Sequence, residues 1–86
     1  MASYRLLWKR SAEKELRKLP HEAIVRLVSL AESLAENPFP PGVRKLAGTE
    51  HTYRVRAGDY RLVYSIEESR LVIEVIRVGH RKEVYR

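Results

Sequence analysis

Apolar and polar positions change period twice along this chain, and the changes predict its elements. Tyr4, Leu6 and Trp8 alternate with Arg5 and Leu7, which reads as a short first strand. The period then lengthens. Ala12, Leu16 and Leu19 fall at i, i+4 and i+7 on one helical stripe, with Ser11 as its N-cap and Glu13 and Glu15 near the positive end of the dipole. Leu19-Pro20 ends that helix, since the residue before proline avoids helical geometry. Proline also suits the opening of the next helix, from Glu22 to about Glu36, where Ile24, Leu27, Val28, Ala31 and Leu34 form a second stripe. Asn37-Pro38 stops it, and Pro38 to Gly42 is a stiff linker within one domain.

Period two returns in the second half. Val43 and Leu46 are the apolar anchors before a Gly48-Thr49-Glu50 turn. A strand through Tyr53 follows, then a strand over Tyr60–Ile66, a polar turn at Glu67-Glu68-Ser69, and a strand over Leu71–Val78. The last is apolar on both faces, so it is expected in the middle of a sheet. The order β-α-α-β-β-β predicts an α+β fold over residues 1–86, a helical hairpin packed on one face of a small, mainly antiparallel sheet. A two-residue Gly58-Asp59 loop sets Arg56 opposite Arg61, with Arg54 on the same face. Tyr53, Val55, Leu62 and Tyr64 then face the helices.

Composition narrows the class. The 86 residues, 44% hydrophobic and 33% charged, describe one ordinary globule rather than a disordered tail. No apolar run approaches the ~20 residues of a membrane helix, and the N-terminus has no signal-like apolar segment, so no membrane partner is expected. Absence of cysteine excludes disulfides and thiolate metal sites and fits a cytoplasmic location. The net charge of +6 is uneven. Residues 44–86 carry ten Lys/Arg against six acids, the first 43 seven against five, so the excess lies in the strand-rich half. Nucleic acid or an acidic protein is the natural partner.

Several chemistries drop out. The sequence has no glycine-rich phosphate loop, and His21, His51 and His80 lie far apart without metal-ligand spacing. Asp59, the sole aspartate, sits in a turn, and Glu67-Glu68 reads as a solvated turn. Two helices around a proline could form a helix-turn-helix, but a hairpin burying both stripes is the simpler reading. For Arg54, Arg56 and Arg61 the plain alternative is a solvated sheet face. Mixed-sign polar residues would serve that purpose better, because like charges opposed across a hairpin destabilise it. The cluster points instead to a polyanion, phosphate above all. His80-Arg81-Lys82 adds a second basic patch.

Four segments carry a family resemblance: Lys45-Leu46-Ala47-Gly48, Tyr53-Arg54-Val55-Arg56, Gly58-Asp59-Tyr60-Arg61-Leu62-Val63-Tyr64 and Val78-Gly79-His80-Arg81-Lys82-Glu83-Val84-Tyr85. Together they resemble the RelE branch of the RelE/ParE toxin superfamily. The resemblance implies a toxin of a type II toxin–antitoxin system, an mRNA interferase that enters the ribosomal A site. It cuts mRNA without metal or cofactor, and a RelB-like antitoxin restrains it. In such a reaction the ribose 2′-hydroxyl attacks the adjacent phosphodiester. Arg61 and Arg81 are then the catalytic cations, Tyr85 orients a base or phosphate, and Lys45, Arg54, Arg56 and Lys82 hold RNA. The best-known members carry lysines where this chain has Arg54 and Arg56. Arginine stays protonated, so His80 becomes the candidate acid or base. The alternatives are a ParE-like gyrase inhibitor without nuclease activity, and a non-catalytic basic RNA-binding module.

Overall fold

The computed structural model describes residues 3–81. Two helices and five strands follow in the order β1 (Arg5–Trp8), α1 (Arg10–Arg17), α2 (His21–Leu34), β2 (Arg44–Lys45), β3 (Thr52–Ala57), β4 (Tyr60–Glu67) and β5 (Val72–His80). The sheet order is β1-β5-β4-β3-β2. Every pairing is antiparallel except β1 on β5, where Arg5 lies beside Val72 and Trp8 beside Val75. This is the expected α+β architecture, with β5 inside the sheet as its two apolar faces require.

The core lies between one sheet face and the helices. Leu62, Tyr64, Ile73 and Val75 are fully buried against Ala12, Leu27, Ala31 and Leu34. The buried stripe of α2 runs through Ala23, Leu27, Ala31 and Leu34, one position round from the expected Ile24 and Val28, which are half-buried at its flank. Ser11 is not the cap of α1. The helix starts at Arg10 directly after Lys9, whose backbone N–H donates to Val75 O at 2.9 Å, so the strand pairing fixes the entry. Pro20 does open α2, at φ −58°.

The 38–43 linker is clamped from below. The Tyr64 hydroxyl donates to Pro38 O at 2.6 Å, and Phe39 stands edge-on to Tyr53 at 5.3 Å between centroids. Past the linker, the two-residue β2 adds an edge strand that sequence periodicity is too short to show.

One irregularity decides which residues face which way. Val63 of β4 pairs with Arg77, but Tyr64 pairs with Val75, so Ile76 is an extra residue in β5. Before this bulge Ile73 and Val75 face the helices; after it Val78 does. The bulge therefore turns Arg77 and Gly79 to the side away from the helices. The stretch of β5 beyond the end of β1 is covered by Glu15 of α1. Its carboxylate accepts from Val78 N–H at 3.1 Å and lies 3.6 Å from the Arg77 guanidinium.

Candidate active site

The site is built on the hairpin of β3 and β4. Gly58 takes φ +63°, as the first residue of a two-residue loop between Ala57 and Tyr60, and this fixes the register. Arg56 lies directly opposite Arg61, and Arg54 opposite Val63. Val55 and Leu62, a facing pair of opposite parity, are buried in the core, so the three arginines occupy the face turned from the helices. Arg56 is exposed while Arg54 and Arg61 are half-buried, and neither of these two is an isolated charge. Val63 is only 4% exposed, as expected where long aliphatic stems cross a strand.

The neighbouring strand completes the surface. Arg61 pairs with Gly79, which is buried. The next residue but one, Arg81, donates its backbone N–H to Asp59 O at 2.9 Å, which ties the end of β5 to the hairpin loop. Arg81 itself follows the last strand residue, His80, and is exposed in the turn beside that loop. Such an array of fixed cations can hold a phosphodiester and the extra charge of a pentacoordinate phosphorus.

Two expected site residues lie elsewhere. His80 pairs with Tyr60, on the helix side, and its ring stands edge-on to Tyr60 at 5.7 Å. The bulge at Ile76 sets this parity, so His80 and Arg61 point to opposite faces; the structure does not bring the expected acid or base to the arginines. Lys45 pairs with Tyr53 and likewise belongs to the helix-side face. Its neighbour Arg44, which sequence reasoning missed, pairs with Arg54 and joins the arginine face. Arg77 was missed too; it is drawn toward Glu15. Lys82 and Tyr85 lie outside the described residues.

Competing sites are poor. A hollow of about 480 Å³ lies at the far end of the β3–β4 pair, lined by Glu50, His51, Tyr53, Ile66, Glu67, Glu68 and Ser69. Three carboxylates there repel a phosphate. Among the described residues no three His, Asp or Glu side chains gather to hold a metal, and no helix is long and apolar enough to cross a membrane.

Comparison with known proteins places this geometry in a family. The model of the ParE toxin of type II toxin–antitoxin systems matches residues 6–85. Toxin RelG of Mycobacterium tuberculosis is 33% identical, over 96% of this chain and 97% of RelG. A chain of the RelE–RelB complex of the archaeon Pyrococcus horikoshii superposes with a TM-score of 0.82 at 31% identity, covering 95% of this chain and 99% of its own. Isolated E. coli RelE gives 0.80 at 33% identity, covering 96% and 92%. The chain belongs to the ParE toxin family of type II toxin–antitoxin systems, as a toxin of the RelE type.

Proposed function

We propose that this toxin is a ribosome-dependent endoribonuclease that cleaves mRNA in the A site by attack of a ribose 2′-hydroxyl on the adjacent phosphodiester. The observation that carries the reading is the pair Arg56 and Arg61, opposed across the hairpin on the open face, with Arg54 beside them. Arginine placed against arginine costs stability, and a bound phosphate offsets that cost.

In the reaction the 2′-oxygen bonds to phosphorus as its proton departs. The 5′-oxygen leaves with the bonding pair and takes up a proton, giving a 2′,3′-cyclic phosphate and a 5′-hydroxyl. Arg61 and Arg81 stabilise the doubly charged intermediate; Arg54 and Arg56 hold the flanking backbone. Because guanidinium groups supply the positive charge, no metal is assigned a step. With His80 turned to the other face, the proton transfers fall to groups beyond the arginine array, Tyr85 or the ribosome itself. Lys82 adds a further phosphate contact. The solved complexes of RelE with RelB from Pyrococcus horikoshii and E. coli support a RelB-like antitoxin as the partner. Action in the cytoplasm follows from the ribosomal target.

The test is end-group analysis of mRNA from translating ribosomes exposed to the toxin, beside a DNA gyrase supercoiling assay. Fragments ending in 2′,3′-cyclic phosphate, with gyrase unaffected, are expected. Gyrase inhibition without mRNA cleavage would establish the ParE-like alternative.

A further inference from the structure

We infer that Arg44 is an RNA-positioning residue that extends the phosphate-binding face across the edge strand β2. The inference rests on the arginine face being the RNA surface. Register carries it: Arg44 pairs with Arg54 while Lys45 pairs with Tyr53, so of the two basic residues in β2 only Arg44 shares the open face. The like-charge juxtaposition of Arg56 with Arg61 is thereby repeated one strand further out, as Arg44 with Arg54.

The cations then follow a diagonal, from Arg61 through Arg56 and Arg54 to exposed Arg44. Neighbouring strands are about 4.8 Å apart, so Arg44 stands roughly 10 Å from the backbone of β4. That is too far for the phosphorus under attack and suited to a phosphate further along the same strand of RNA. Among the described strand residues, the acids of this face, Glu67 and Glu74, pair with Val72 and Ser65 at its other end, away from the diagonal. A charged residue on an edge strand can also act only to block aggregation, and the two roles predict different results.

The measurement is titration of the full chain with a short, uncleavable 2′-O-methyl oligoribonucleotide at several salt concentrations. Arg44→Ala weakens binding about five-fold and lowers the slope of log K against log salt by about 0.7, the value for one lost phosphate contact on a single strand. Arg44→Lys restores the slope. An unchanged slope and affinity in Arg44→Ala would overturn the inference, as would wild-type protein that fails to bind at low salt. Cleavage on programmed ribosomes separates this from the parent reading. For Arg44→Ala the toxin concentration giving half-maximal rate rises while the maximal rate holds within about two-fold. If wild type cleaves and Arg61→Ala does not, the nuclease reading stands whatever Arg44 does.

Discussion

On the proposed reading, Arg56 and Arg61 each serve function against stability. Their side chains share a face directly across the β3–β4 hairpin, where opposite charges or β-branched residues would contribute more. Arg56→Thr is expected to raise unfolding free energy by about 0.5 kcal/mol in urea denaturation, while lowering mRNA cleavage by about ten-fold. Gain on both measures would show that the pair has no part in holding phosphate. This pairing was legible in the sequence because Gly58-Asp59 dictates a two-residue loop, and the loop dictates which residues face each other. His80 was not legible. Its face depends on the unpaired Ile76, and a run as uniformly apolar as Val72-Ile73 followed by Val75-Ile76 carries no alternation in which a bulge could be seen. The Lys45 and Arg44 assignment failed for a related reason: two residues are too few to set a phase.

At the scale of elements, a glycine turn and two hydrogen bonds hold the hairpin, β5 and the 38–43 linker in place. Gly58 sits at φ +63°, and a Cβ there would lie 3.0 Å from the Arg26 guanidinium, which can swing away. Backbone strain then dominates, and Gly58→Ala should cost about 1 kcal/mol by denaturant titration. Glu15 satisfies the Val78 N–H where β1 stops; Glu15→Ala should cost a similar amount, about 1 kcal/mol, since the half-exposed site admits water. Burial, with a smaller contribution from nearby Tyr53, pushes the Tyr64 phenol well above its ordinary value. The folded chain therefore keeps that proton after the unfolded chain has lost it, so the associated stability is complete below about pH 10 and falls as pH rises. Tyr64→Phe should lower stability by about 1 kcal/mol at neutral pH, through loss of the bond to Pro38 O, and flatten the decline in melting temperature above pH 10. Helix positions were legible from proline and apolar spacing. The start of α1 was not, because pairing of Lys9 with Val75, rather than a capping side chain, fixes it.

For the whole molecule, the two sheet faces divide the work. One buries Leu62, Tyr64, Ile73 and Val75 beneath the helices; the other carries the arginines, and the net charge of +6 draws the protein toward polyanions. The most direct test compares single-turnover cleavage on ribosomes programmed with one mRNA, using wild type, Arg61→Ala and Arg70→Ala. Arg70 is an exposed cation beside Glu67, at the opposite end of the sheet. The account predicts a rate at least about 100-fold lower for Arg61→Ala, at a melting temperature no lower than wild type, the loss typical of one removed charge-stabilising donor, and a normal rate for Arg70→Ala. Cleavage by Arg61→Ala at the wild-type rate would contradict it.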